Sequence, residues 1–174
     1  MHPAPQSDHM DYTDHTDHMD WKAALWAGLI AGVVFMMMEM ILVAVAGGGS
    51  PWGPPRMIAA LVMGESVLPP PATFDLGITM VAMIIHFMLS IILGVALAWA
   101  ISHWRLSLPA AVGGGVLLGL LVYIVGFYLL TPVFPWFASA RGGIAIFAHT
   151  MFGLALGWSY HAIAGPDRLE RGST

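Results

Sequence analysis

The chain has 174 residues, of which only 16 are Asp, Glu, Lys or Arg, against about a quarter in ordinary globular proteins, so it cannot clothe a soluble surface. It contains no cysteine, which excludes disulfide scaffolds, thiolate metal sites and cysteine nucleophiles. The net charge is −4 and no basic patch with interleaved aromatics occurs, so a nucleic-acid partner is excluded.

In chain order, residues 1–20 come first and repeat a short unit: Asp8-His9-Met10-Asp11, Asp14-His15-Thr16-Asp17 and Asp17-His18-Met19-Asp20. Low hydrophobicity predicts a tail that is disordered when free. His9, His15 and His18 with the aspartates offer imidazole and carboxylate ligands to Cu(II), Ni(II) or Zn(II), without the fixed spacing of a finger or an EF-hand loop. A simple solvated acidic tail is the competing reading.

Between Ala23 and Pro166 only six charged residues remain. Four apolar stretches, at 21–46, 77–101, 109–130 and 142–164, are each long enough to cross a hydrocarbon core of ~30 Å. They are continuous runs rather than alternating segments, so they predict helices and not barrel strands. The first is too long for a signal-peptide core, follows an acidic segment and lacks a cleavage site, so it is expected to stay as a span. The expected fold is therefore an all-α membrane protein, a four-transmembrane-helix bundle over 21–164, followed by a flexible C-terminal tail at 165–174.

The loops carry their own signals. Gly47-Gly48-Gly49-Ser50-Pro51 and Pro69-Pro70-Pro71 break any helix at the two ends of 47–75. Pro55 ahead of an apolar run ending at Met63, with Gly64 behind it, predicts a short interfacial helix. Lys22, Arg105, Arg168 and Arg171 fall on one side of the membrane and Arg56 and Arg141 on the other, which places both termini in the cytoplasm. Arg141 is expected to be solvated or to pair with Asp75, and His103 and His161 to lie at the interface.

An internal repeat runs through the spans. His86-Phe87-Met88-Leu89-Ser90-Ile91-Ile92-Leu93-Gly94 aligns with His149-Thr150-Met151-Phe152-Gly153-Leu154-Ala155-Leu156-Gly157. Spans one and three are each followed by Pro-Trp, and carry Gly28 with Gly32 and Gly115 with Gly119. Two parallel copies of a two-helix unit are implied, related by an axis along the membrane normal. The small-x-x-x-small pairs are packing faces, and the two histidines lie on those same faces.

Ionisable groups inside spans are costly and face a partner or a cavity. Glu39, His86 and His149 lie roughly 10–14 Å from the same membrane face. Tyr123 stands as far before its Pro-Trp pair as Glu39 before the first. One reading of this polar layer is a packing network, with His86 donating to Glu39 and Tyr123 to His149. A second is a metal site of Glu39, His86 and His149, completed by Tyr123 or Met83; the methionines around Glu39 favour copper, although methionine is also adaptable core filler. A third makes His86 and His149 the axial ligands of a b-type haem, and a fourth is proton relay. No Ser-His-Asp order, phosphate loop or catalytic carboxylate pair stands out, so no enzyme is expected.

The Gly28-x-x-x-Gly32 run, the segments Gly-Gly-Gly-Ser-Pro-Trp-Gly-Pro-Pro-Arg (47–56) and Leu-Pro-Pro-Pro-Ala-Thr-Phe-Asp (68–75), and the two His-centred helices resemble a group of small four-span bacterial inner-membrane proteins, some loosely labelled sodium/proline-symporter-like. The resemblance covers roughly 28–158. It implies a fold and an inner-membrane location and transfers no catalytic residue. The functional expectations are a protein that binds or helps move a transition metal, copper first, a non-catalytic accessory subunit on a larger membrane complex or a homo-oligomer, and a haem carrier.

Overall fold

The computed structural model describes residues 19–165, and among them helix is the only regular structure. Five α-helices form: α1 Trp21–Val45, α2 Gly53–Met63, α3 Leu76–Trp104, α4 Leu108–Ile124 and α5 Gly143–Ala164. A π-helical turn, Val125–Leu129, continues α4, and a 3-10 helix spans Pro135–Ala140. Three of these elements are long and apolar enough to cross a membrane: α1, α3, and α4 with its π turn. The acidic tail, its histidines His9, His15 and His18, and the segment after Gly165 lie outside the described residues.

The helix starts are set by caps. Asp20 accepts from the Ala23 amide at 3.0 Å and Asp75 from the Ile78 amide at 2.9 Å, each satisfying one of the orphan donors of a first turn. Asp75 is thus a cap rather than the partner of Arg141. At the other end, α3 runs to Trp104, beyond the expected boundary at 101, with Trp99 stacked on His103 one turn away at 5.1 Å. Only residues 105–107 connect it to α4.

Packing is inside-out relative to a soluble bundle. The outward faces of the helices carry large residues, such as Ile30, Val33, Met37 and Ile41 on α1 and Met80, Ile84, Met88 and Ile92 on α3. The inward stripe of α1 is Ala23, Ala24, Ala27, Gly28, Ala31 and Gly32. Lipid tails are as apolar as any side chain, so helices associate through close van der Waals contact, which small residues permit. The methionines Met37 and Met88 are more than half exposed on those outward faces and act as apolar surface.

The glycines mark where backbones touch. A Cβ on Gly28 would lie 2.8 Å from the Ser90 carbonyl oxygen, and one on Gly94 would lie 2.9 Å from that of Ala24, so α1 and α3 meet backbone to backbone. On α4 and α5 the contact is tighter still: Gly115 abuts the Gly153 carbonyl, Gly119 that of His149, and Gly157 that of Ala111. The third close pair is α1 with α5, whereas α3 and α4 scarcely touch. In consequence α5 is the most enclosed helix, burying 12 of its 22 residues. His161, expected at the interface, is buried on it.

Replacing Gly153 by Val should cost at least ~1–3 kcal/mol of stability, because the backbone it meets cannot rotate aside. Gly113, whose Cβ would meet nothing within 4 Å, should tolerate Ala and gain a few tenths to ~1 kcal/mol from helix propensity. Thermal unfolding of both variants in detergent reads the contrast; equal midpoints would contradict the packing.

Candidate functional site

The one helix pair that does not close leaves a cavity. It measures about 490 Å³ and lies between α3 and α4, backed by α1 and α5. Its walls are almost wholly apolar: Leu89, Ile92 and Leu93 from α3, Leu118, Leu121 and Val122 from α4, Phe35 from α1 and Phe152 from α5. Leu89, Ile92 and Leu121 are also about half exposed on the outer surface, so the mouth of the cavity opens sideways, where acyl chains would lie.

One end is capped by the loop elements. Pro54, Met57, Ile58 and Leu61 of α2 and Phe137 and Ala140 of the 3-10 helix line it. The Trp136 indole donates to the Met57 carbonyl at 3.1 Å and ties these two pieces together. Arg56 holds the chain after α2 by donating to the carbonyls of Val67 at 2.7 Å and Thr73 at 3.0–3.1 Å. The π turn supplies Val125, Gly126 and Phe127 to the wall. It ends the helix, whose last carbonyls lack intrahelical partners, and Arg141 donates to that of Phe127 at 2.6 Å, while also donating to Thr131 and lying 4.5 Å over the Tyr128 ring. The alternative of an Arg141–Asp75 pair is therefore replaced by carbonyl capping.

The four polar residues of the expected layer are all buried: Glu39, His86, Tyr123 and His149 are each 6–7% exposed. Three of them, Glu39, His86 and His149, line the cavity, together with Ser90. Tyr123 does not; it packs with Phe127 at 5.1 Å and against the His149 ring at 5.7 Å. Met83 is half-buried and stands apart from the wall.

The expected pairings within the layer do not form. His86 Nε2 donates to the Gly32 carbonyl at 2.9 Å, and His149 Nδ1 donates to the Ala145 carbonyl one turn back at 2.8 Å. Phe35 packs against both imidazoles, stacked on His86 at 5.5 Å and edge-on to His149 at 4.7 Å. Among the described residues no group of three or more His, Asp or Glu side chains is placed to hold a metal ion. Glu39, His86 and His149 therefore share a cavity without converging as a ligand set. For the axial haem pair, the nitrogens that already bond backbone carbonyls are His86 Nε2 and His149 Nδ1, which leaves His86 Nδ1 and His149 Nε2 as the ring nitrogens that could face an iron.

Two buried polar atoms among the described residues have no hydrogen-bond partner, Glu39 Oε2 and Ser159 Oγ, and of these residues only Glu39 lines the cavity. No Lys or Arg lines it. Burying a carboxyl unsatisfied is costly, and packing does not require it. The sequence marked Glu39 by its depth; it held no signal for the wall contributed by α2 and Phe137, which only long-range packing brings there.

No family model, curated protein or solved structure matches the chain.

Replacing Glu39 by Leu should raise the thermal midpoint of the ligand-free protein, by the equivalent of ~1–3 kcal/mol, because an orphaned polar group is removed from an apolar site. A lower midpoint would mean that the carboxyl has a structural partner.

Proposed function

We propose that this is a four-span inner-membrane protein, both termini cytoplasmic, that holds a lipophilic small molecule in the cleft between α3 and α4. The observation that carries this reading is the cavity itself: about 490 Å³, apolar, and open sideways beneath a cap of α2 and the 3-10 helix. That volume suits a drug-sized ligand, and an apolar wall with a few polar groups is the usual form of such sites.

The fourth span in this reading is α5. It lies along α1 and α4, both apolar enough to cross, and at 22 residues it would extend roughly 33 Å. Its two histidines and its Ser, Tyr and Trp make it less apolar, which a helix enclosed by its neighbours tolerates. The two-unit repeat is supported by matching contacts. Gly94 abuts Ala24 as Gly157 abuts Ala111, and Gly28 abuts Ser90 as Gly115 abuts Gly153. A strict two-fold would then pack α3 on α4 as α5 packs on α1, and the cavity occupies the place of that missing interface.

Exposed Leu89, Ile92 and Leu121 at the mouth also suit a second reading, an accessory subunit that seats a partner's helix in the cleft. A copper or other divalent-metal role for Glu39, His86 and His149 would require these side chains to move together, since among the described residues they do not form a ligand group, and is the weaker reading.

Two measurements test the proposal. A neutral photoactivatable hydrocarbon added to the protein in nanodiscs should label Leu118 and Val122 saturably, whereas labelling of outward-facing Ile84 should rise linearly with concentration; Val122→Trp should abolish the saturable part. Labelling of the cavity that is no more saturable than that of Ile84 would remove the site. A periplasm-dependent reporter fused after Thr174 should be inactive, and activity there would overturn the topology.

A further inference from the structure

The chemistry of the wall narrows the ligand class, given the cavity reading above. A neutral imidazole has one N–H, and in each ring that proton is committed to a backbone carbonyl, Gly32 for His86 and Ala145 for His149. What the rings retain is an acceptor nitrogen. Glu39 adds a carboxyl whose Oε2 is buried without a partner, in a residue only 7% exposed. Ser90 contributes a hydroxyl that can act either way. The wall therefore presents acceptors and one acidic group, with no cation to answer them.

No such cation is available nearby. Arg56 is occupied by the carbonyls of Val67 and Thr73, and Arg141 by the Phe127 carbonyl, Thr131 and the Tyr128 ring. Four phenyl rings, Phe35, Phe127, Phe137 and Phe152, line the same space. Ring faces attract cations, most strongly where water is excluded. An ionised Glu39 would repel an anionic ligand, a neutral hydrocarbon would leave its carboxyl unanswered, and a neutral hydrogen-bonding ligand would answer the carboxyl without using the phenyl faces.

We infer that the cleft binds a lipophilic cation, its positive head against Glu39 among the phenyl rings and its apolar body against Leu93, Leu118 and Val122. The position of Glu39 agrees with this. It lies six residues before the end of α1 at Val45, roughly 9 Å along the helix, so a head entering from the bilayer through the α3–α4 mouth reaches it without crossing the whole membrane.

Tetraphenylphosphonium and tetraphenylborate have nearly the same size and shape and opposite charge, which makes them the probes of choice. Their binding to the full chain in nanodiscs is measured by equilibrium dialysis, with empty nanodiscs subtracted. The phosphonium should bind saturably, one per chain, at least about tenfold more tightly than the borate, a margin that a desolvated cation–aromatic contact with an ion pair supports. Glu39→Gln should lose about tenfold or more of that affinity, Glu39→Asp should keep part of it, and both should retain saturable labelling by the neutral hydrocarbon, which shows the cavity intact. Equal binding of the two ions, or full phosphonium affinity in Glu39→Gln with labelling retained, would overturn the cation assignment and leave the cavity reading standing. Absence of saturable neutral labelling in the unaltered protein would instead remove the cavity reading and this inference with it.

Discussion

Everything in this fold depends on how closely its helices approach. In a bilayer no water is released when two apolar helices meet, so association rests on dispersion and on contact area gained by bringing backbones together. Gly28, Gly94, Gly115, Gly119, Gly153 and Gly157 make that possible, each placed where a Cβ would strike the neighbouring main chain. Small residues consequently fill the closest contacts, and many of the large aliphatic residues and methionines turn to the outside, with Leu97, Ile101, Leu156 and Met36 as buried exceptions. The order is the reverse of a water-soluble core, and it leaves little interior volume at the closed contacts.

That economy makes the open contact informative. Three of the four lateral helix pairs close, and α3 with α4 does not. The reason lies in the side chains. The alanine stripe lets α1 meet α5, whereas Leu118, Leu121 and Val122 confront Leu89 and Leu93 across the cleft and hold it apart. At the capped end α2 packs on α3, and the π turn displaces the end of α4. Trp136, Arg56 and Arg141 then lock those pieces through backbone carbonyls, so the cap is built from bonds that do not involve the cavity's own polar groups.

Those polar groups are unequal. His86 and His149 are satisfied, each by a carbonyl, and wrapped by Phe35, Phe127 and Tyr123. Glu39 is not, although a hydrogen-bonding neighbour could have been supplied by a single residue on α3 or α5. An acidic side chain kept in an apolar space without a partner costs stability, and such a cost is the ordinary mark of a group reserved for a ligand.

How much of this was legible beforehand follows from the range of the forces involved. The apolar helices, the short helix before Gly64 and the burial of Glu39, His86, Tyr123 and His149 are visible in the chain because hydropathy, helix-breaking residues and small-residue spacing act over a turn or two, whereas the capping roles of Asp20 and Asp75 were not read there. The partners of those polar groups were not visible. Phe35 carries no spacing that announces a contact with both histidines, Tyr123 packs on His149 without lining the cavity, and Arg141 bonds a carbonyl of the last helical turn, a partner that nothing in the local sequence marks. Sequence alone determined that the chain is helical, with helices apolar enough to cross a membrane and a few polar residues buried among them. Only the tertiary structure decided that the polar residues would surround a space instead of one another, because that depends on which of four similar helix pairs can bring their backbones into contact.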